Sequence, residues 1–322
     1  MPQDKDYLRN VERAGKHGEI LSPQARAVPD VIYHYTAMGN LLKIVESRQI
    51  WATEGRYLND VTERDYCLSL IMSYLSHALE SGHSNSRTLK YFFDRAPSQF
   101  SRYEEIYIAS FSADRDSLAQ WRAYCPHGNG VSIGFRTESL RRGAIAKRQS
   151  PSTLEDRGET SRPSVSSVLY LGTDDSDRIE DLVSLAEVAV RATEAIDIWT
   201  DQDARTFWTA MAETATLVKH PAFWTEREYR LVASVPFGSS ATRYRSTQSM
   251  LTPYVAVDLP DPDGFLPTKA TSVYPQGPYF IDSVTVGPSP NSALSVRAVR
   301  QLFASLRRDV DVHETTAPYR DW

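Results

Sequence analysis

The sequence predicts an α+β domain in which strands and helices follow one another from residue 31 to residue 314. Three observations carry this prediction: β-rich runs recur along the whole stretch, helical periodicity appears between them, and no internal repeat divides the chain. The 322 residues are 41% hydrophobic and 24% charged, as in ordinary globular proteins with a substantial core. We therefore expect residues 29–322 to form one domain and the polar residues 1–28 to form a tail or arm.

The first half of the chain alternates between strands and short helices. We predict strands at 31–36, 50–53, 107–112 and 131–135, and helices at 38–47, about 62–80 and 118–124. Pro126 and the glycines after it end the last of these helices. Between about 141 and 165 the composition shifts to Ser, Arg, Pro and charge, which predicts a flexible polar insertion.

The second half begins with a strand and a long helical region and returns to strands. We predict a strand at 168–171, two helices within about 179–217, strands near 228–235, 254–259 and 280–286, a helix at 292–306 and a strand at 310–314. Leu182, Leu185 and Val188 mark the apolar face of the first long helix. Strands spread this widely favour one domain over two separable halves.

Charge, cysteine content and the N-terminus narrow the classes of function. The net charge of -5 and the pI near 5.9 lack the basic excess of a non-specific nucleic-acid binder. Cys67 and Cys125 lie in no metal-binding or redox motif, so they fit free thiols in a reducing compartment. Because neither a signal peptide nor a membrane-spanning apolar run is evident, we expect a cytoplasmic protein with no membrane partner.

Several familiar catalytic motifs are missing from the sequence. It contains neither a Gly-rich phosphate loop nor a Gly-x-Ser-x-Gly elbow. The seven histidines show neither His-Glu-x-x-His nor His-x-His spacing. We therefore expect no metal site.

Polar residues occupy two predicted strands where apolar ones are usual. His34 shares a strand face with Ile32 and Thr36, and Ser110 and Ser112 share a face at the end of another strand. A core histidine bonded to a neighbour explains the first observation, and a self-capping turn explains the second. A ligand cleft explains both.

The segment around Glu228 is the most informative. Alternation predicts Glu226, Glu228 and Arg230 on one face of a strand whose other face meets the core. Two neighbouring carboxylates repel each other, so solvent, a cation or a ligand has to offset their repulsion. One reading is an exposed ion-pair stripe, which is worth little energy. The other is a cleft whose substrate carries hydroxyls or a developing positive charge.

These segments, taken in order, resemble a known family. They are residues 33–36 (YHYT), 50–51 (IW), 57–60 (YLND), 110–112 (SFS), 117–124 (SLAQWRAY), 130–135 (GVSIGF), 226–231 (EREYRL) and 318–320 (PYR). Together they look like the prokaryotic family DUF2971 over roughly residues 31–320. More distantly, they resemble the ADP-ribosyltransferase superfamily.

The second resemblance implies a split mixed β-sheet with flanking helices that grips NAD as a substrate. His34 matches the superfamily's first-strand histidine, residues 110–112 match its Ser-x-Ser strand, and residues 226–228 match its Glu-x-Glu motif. This combination mixes branches of the superfamily, so it leaves the substrate class open.

The resemblance also implies residue roles. Glu228 would stabilise the oxocarbenium-like state, Glu226 would orient or deprotonate the acceptor, and His34 would bond the adenosine-side ribose. Arg230 would neutralise a phosphate or pair with Glu228, and Tyr35 or Trp121 would stack on the ligand. The residues expected to contact NAD are His34, Tyr35, Thr36, Asn59, Ser110, Ser112, Trp121 and Arg230.

Transfer of ADP-ribose from NAD to a protein or nucleic-acid acceptor is therefore the expected function. The alternatives are an NAD glycohydrolase, a non-catalytic module that senses a nucleotide or docks a partner, and a nucleic-acid-directed transferase that uses the basic segment 141–148. A transferase that poisons its own cell would need a neutralising partner, as in toxin or phage-defence systems.

Overall fold

The computed structural model describes residues 27–58, 104–125, 128–146, 162–172, 215–247, 249–266 and 277–318, with isolated helical positions at 65–80 and 209–213. A large mixed sheet accompanied by few helices makes up the described part, which confirms the predicted α+β class. Most of the predicted N-terminal tail lies outside the described residues. None of the helices in the described part is long and apolar enough to cross a membrane.

Strands outnumber helices throughout the described segments. The strands are β1 (Val31–Ala37), β2 (Gln49–Glu54), β3 (Glu104–Ser112), β4 (Gly130–Arg136), β5 (Ala144–Ile145), β6 (Ser164–Ser167), β7 (Leu169–Tyr170), β8 (Val218–Lys219), β9 (Glu228–Pro236), β10 (Arg243–Ser246), β11 (Leu251–Asp258), β12 (Ile281–Val286) and β13 (Asp311–Glu314). The helices are α1 (Met38–Ser47), α2 (Leu118–Tyr124), α3 (Thr137–Arg141) and α4 (Ser292–Ser305), with 3₁₀ helices at Gly55–Tyr57 and Pro221–Glu226.

The main sheet follows the order β10-β11-β2-β3-β1-β4-β12-β13. Its neighbouring strands are antiparallel except β12 and β13, which are parallel. β9 pairs along the length of β3 and carries β6 on its other side, while β5 pairs with β11. β7 and β8 form a separate two-stranded parallel sheet beside the start of β9.

The sheet opens at β3, because two strands share one of its edges. Ile108 of β3 is aligned with Thr53 of β2, whereas Ser112 at the end of β3 is aligned with Tyr33 of β1. Beyond these registers β1 and β2 diverge, and α1 connects them. A strand that pairs with two diverging neighbours leaves a gap between them, and the candidate site lies in this gap.

Helices cover both faces of β1. Ile32 faces a large apolar core that includes Leu41 of α1 and Phe303 of α4, whereas Tyr35 packs with Trp121 of α2 in a small separate cluster. Alternation along the strand explains this division. The helices predicted at 38–47 and 118–124 are confirmed at both ends, since their apolar spacing and stop signals are local.

Strands occupy both ends of the stretch from 141 to 165, for which a flexible polar insertion was predicted. β5 pairs with the end of β11, and β6 pairs with Tyr229–Val232 of β9. Both strands are short and depend on partners distant in the chain, which composition cannot reveal. Residues 147–161, like most of the helical regions predicted at 62–80 and 179–217, lie outside the described residues.

Asp116 ties α2 to the segment after β13. Its carboxylate accepts hydrogen bonds from Trp121 Nε1 at 2.7 Å and from the backbone nitrogen and hydroxyl of Thr316 at 2.7 and 2.8 Å. Burial alone would raise the pKa of Asp116, but these bonds and one from Thr315 outweigh burial and lower the pKa.

We expect Asp116→Asn to lower the free energy of unfolding at pH 7 by about 1 to 2 kcal/mol, because charge-assisted bonds are lost at a partly exposed position. The pKa of Asp116 is lower in the folded chain than in the unfolded one. Its stabilisation is therefore full above about pH 4 and is lost as the pH falls through the folded-state pKa. Urea unfolding should show the variant and the wild type converging in acid, whereas the exposed control Asp309→Asn should match the wild type throughout. A difference that does not change with pH would contradict this account.

Candidate functional site

A cavity of about 350 Å³ occupies the gap between β1 and β2. Side chains from β1, α1, β2, β3 and β10 line it, together with Tyr124 at the end of α2. This volume is within the range of small-molecule sites in proteins. The opening of the sheet therefore creates a site with room for a ligand.

A smaller pocket of about 60 Å³ adjoins the cavity and contains the acidic residues. Both Glu226 and Glu228 line this inner pocket. The residues that line both spaces are His34, Tyr35, Ser110 and Tyr124. We refer to the cavity and the inner pocket together as the cleft.

His34 is a neutral hydrogen-bonding group in the wall of the cleft. Burial lowers its pKa, and a bond to the backbone of Ser110 only partly offsets this effect. Its Nδ1 lies 2.9 Å from the carbonyl oxygen of Ser110. A carbonyl only accepts, so Nδ1 carries the proton and Nε2 is left as an acceptor. Such a nitrogen is able to accept a bond from a ligand hydroxyl.

Tyr35 and Thr36 are held in place by their own hydrogen bonds. The Tyr35 hydroxyl donates to the Asp114 carbonyl at 2.7 Å and accepts from the Ser117 nitrogen at 2.8 Å. The Thr36 hydroxyl, which lines the larger cavity, accepts from Asn40 at 2.8 Å. These contacts fix the wall of the cleft and leave the Tyr35 hydroxyl already bonded.

The two serines of β3 lie opposite the first residues of β9, which include Glu228. Ser110 is aligned with Arg230, and Ser112 is aligned with Glu228. The Ser112 hydroxyl donates to the backbone carbonyl of Glu226 at 2.8 Å and accepts from Asp114 at 3.2 Å. The Ser110 side chain contributes to lowering the pKa of the Glu228 carboxyl. The predicted self-capping turn is therefore present at Ser112, where it also fixes the segment that carries Glu226.

The prediction that Glu226 and Glu228 share a strand face is wrong. Glu226 ends the 3₁₀ helix, Arg227 is left-handed with φ 45°, and β9 begins at Glu228. The two carboxylates nevertheless meet, because both contact Lys219 Nζ, at 2.7 Å and 3.2 Å. A bend in the backbone brings them together rather than strand alternation.

Glu228 is a buried and ionised carboxylate. Arg230 donates to it from two nitrogens, at 2.7 and 3.1 Å, and also to the Thr216 carbonyl. Glu228 is 5% exposed and Arg230 is 2% exposed, so the interpretation as an exposed ion-pair stripe is wrong. Burial alone would raise the pKa of Glu228, but the charges of Arg230 and Lys219 and bonds from Arg230 and Ser110 lower it to about 2.

Lys219 is a site residue that the sequence analysis missed. It lies in β8, is 5% exposed, and also contacts the Phe223 ring at 4.7 Å. A lysine directly after the apolar pair Leu217-Val218 is a weak signal of a buried charge that needs partners. With Lys219 included, the ion pairs among the described residues of the cluster join two cations to two carboxylates.

Three predicted ligand contacts do not line the cleft, namely Ser112, Trp121 and Arg230. Trp121 is fully buried, with its ring centroid 4.7 Å from that of Tyr35, so it has no free face for stacking. Arg230 does not line either space, and its guanidinium pairs with Glu228, which was one of its two expected roles. Asn59 lies outside the described residues. Among the described residues, no group of three or more His, Cys, Asp and Glu side chains is placed to hold a metal ion.

Comparison with known proteins identifies one family. Residues 120–231 match the family described as "Protein of unknown function (DUF2971)". This confirms the DUF2971 resemblance over a stretch that includes Glu226 and Glu228 but not His34 or Ser110. No curated protein and no solved structure matches the chain. The comparisons give no support to the more distant ADP-ribosyltransferase relation.

Proposed function

We propose that the chain binds NAD in the cleft and transfers its ADP-ribose unit to a macromolecular acceptor. The observation that carries this proposal is the convergence of His34, Ser110 and Glu228 on the inner pocket, from β1, β3 and β9 respectively. The gap between β1 and β2, beside these residues, gives a ligand room to reach them. Hydroxyl-binding groups therefore lie beside a buried carboxylate, which is the combination that ribose chemistry needs.

In the proposed reaction the bond between nicotinamide and ribose breaks, and its electron pair leaves with neutral nicotinamide. Positive charge then develops on the ribose, and Glu228 opposes it while accepting a bond from a ribose hydroxyl. With a pKa of about 2, this carboxylate is ionised at neutral pH. It therefore acts by electrostatics and hydrogen bonding rather than as a proton carrier.

The acceptor completes the proposed reaction by attacking the same ribose carbon. Its proton has to leave as the new bond forms, and Glu226 is the nearer carboxylate to solvent, with a side chain 22% exposed. Glu226 therefore accepts that proton or orients the acceptor. With water in place of a macromolecule, the same steps hydrolyse NAD.

A second candidate is a nucleotide-sensing module that binds NAD without cleaving it. The observation that favours it is the pairing of Glu228 with both Lys219 and Arg230. These cations offset the negative charge that would stabilise the ribose cation. A nucleic-acid-directed transferase gains less support, because Arg142 of the basic segment forms an exposed pair with Glu138 and does not line the cleft.

We expect His34→Ala to weaken NAD binding about 10-fold, because the ligand loses a hydrogen bond in a partly buried wall. Titration calorimetry measures the dissociation constant. The control His313→Ala, which removes a histidine that contacts Arg115 outside the cleft, should bind NAD like the wild type. Equal affinity in His34→Ala and the wild type would contradict the placement of NAD.

Incubation with labelled NAD and a cell lysate separates transfer from the alternatives. Transferase activity predicts label on protein or nucleic acid, and glycohydrolase activity predicts free ADP-ribose with or without lysate. Bound but intact NAD would support the sensing module. A neutralising partner would be expected to suppress the labelling.

A further inference from the structure

Arg245 is a cation in the larger cavity without an anionic partner in the described part of the chain. It lies on β10, lines the cavity, and donates from Nη2 to the Thr53 hydroxyl at 2.8 Å. Its Nε is buried and bonds to none of the residues that the structure describes. Among the described residues, no carboxylate lies within ion-pairing distance of its guanidinium.

The surroundings of Arg245 are aromatic rather than acidic. Its guanidinium carbon lies 5.9 Å from the ring centres of both Trp51 and Tyr254, which stack on each other at 4.3 Å. Partial burial lowers the pKa of Arg245, so the charged form is poorly solvated there. Cation–π contacts at this distance offset only part of the free energy that the guanidinium loses with its hydration.

The cation is typical of a binding group rather than of a structural ion pair. Its planar guanidinium donates to two oxygens at once, which suits phosphate and carboxylate groups. Lys43 of α1 lines the same cavity, and neither cation lines the inner pocket. Among the described lining residues, the charged ones of the larger cavity are therefore basic, whereas those of the inner pocket are Glu226 and Glu228, which pair with Lys219 and Arg230.

We propose that Arg245 binds a phosphate group of the ligand in the larger cavity, with Lys43 as a second cation and Trp51 in contact with the ligand's apolar part. The identity of the ligand as a nucleotide rests on the proposed function, but the anion site itself does not. In NAD, this arrangement would place the pyrophosphate in the larger cavity and the nicotinamide-side ribose in the inner pocket.

Titration calorimetry with inorganic pyrophosphate, ADP-ribose and NAD tests this proposal. We expect Arg245→Gln to weaken the binding of all three about 10- to 100-fold, because a charged hydrogen-bond donor is lost. The affinities of Arg245→Lys for these compounds should lie between those of the wild type and those of Arg245→Gln. The control Arg243→Gln removes the same charge from β10 at a residue that does not line the cavity, so it should weaken binding by less than about threefold.

Thermal unfolding separates ligand binding from a structural role. Because Arg245 is partly buried without an anionic partner, Arg245→Gln should have an unchanged or higher melting temperature. A structural role would instead lower it. Full affinity of Arg245→Gln for pyrophosphate and ADP-ribose would overturn the proposal, as would a wild type that binds neither compound.

The outcomes also separate this proposal from the proposed function. If pyrophosphate binding depends on Arg245 while NAD does not bind, the anion site stands and the NAD function falls. If NAD binds Arg245→Gln and the wild type equally well, the NAD function stands and the role of Arg245 falls. Tighter binding of ADP-ribose than of pyrophosphate would identify the phosphate as part of a nucleotide.

Discussion

Glu228→Gln is expected to lower nicotinamide release from NAD by at least about 100-fold, since it removes the charge that opposes the developing ribose cation. The same change should cost about 3 kcal/mol of unfolding free energy. The folded state loses stability because the buried positive charges of Lys219 and Arg230 lose the anion with which they pair. Chromatography measures the first effect and urea unfolding the second.

A double variant separates the two roles of Glu228. Adding Lys219→Met to Glu228→Gln removes one positive charge for the negative charge lost, so the net charge of the cluster returns to that of the wild type. We expect this double variant to recover much of the lost stability but none of the lost cleavage. Recovery of cleavage together with stability would contradict a catalytic role, because it would show that Glu228 acted only through folding.

Asp261→Asn is expected to lower the free energy of unfolding by about 3 to 5 kcal/mol. Asp261 is 1% exposed and lies between two buried guanidinium groups, with Arg48 at 2.6 Å and Arg308 at 3.3 Å. It also accepts from the backbone nitrogen of Phe280 at 3.1 Å. Without its charge, these two buried guanidinium groups lose the anion that they share, and the bond from Arg48 to the Leu259 carbonyl and the contacts with aromatic rings do not replace it.

The control for this change is Asp282→Asn, which breaks a partly exposed ion pair with Arg136. That pair should contribute less than about 1 kcal/mol, because water screens it. Urea unfolding of both variants at pH 7 measures the difference. A loss at Asp261 no larger than the loss at Asp282 would contradict the claim that Asp261 is the central anion of a buried cluster.

Local sequence patterns predicted the elements whose stability is local. α1 buries Leu41, Ile44 and Val45 at helical spacing and ends where Arg48 becomes left-handed. β4 carries apolar residues at alternate positions (131, 133 and 135), β12 does so at 284 and 286, and both strands are buried over most of their length. In such elements the residues that bury the surface and the residues that end the element lie within one short window.

Elements that depend on distant partners were missed. β10 has the polar sequence Arg-Tyr-Arg-Ser and alternates between partly buried and exposed residues at the edge of the sheet. β6 is rich in serine and is held by β9, which lies far along the chain. Neither strand carries the apolar signal of a buried strand. Only their pairing partners specify them.

The candidate site was predicted only in part, because some of its residues also lie on strands that depend on distant partners. His34, Ser110 and Glu228 stood out because polar residues interrupt otherwise apolar strands, and all three line the inner pocket. Lys219 and Arg245 lie on strands that the sequence did not reveal, so their contributions to charge were missed. The balance of charge around Glu228 is a tertiary property that no window of sequence contains.

Nicotinamide release by the purified wild-type chain tests the central claim most directly. Incubated with NAD and a cell lysate, the wild type should release nicotinamide, and neither Glu228→Gln nor its stability-restored double variant should do so. If the folded wild type binds NAD but releases no nicotinamide with or without lysate, the transferase assignment is contradicted and the cleft is a nucleotide-sensing site.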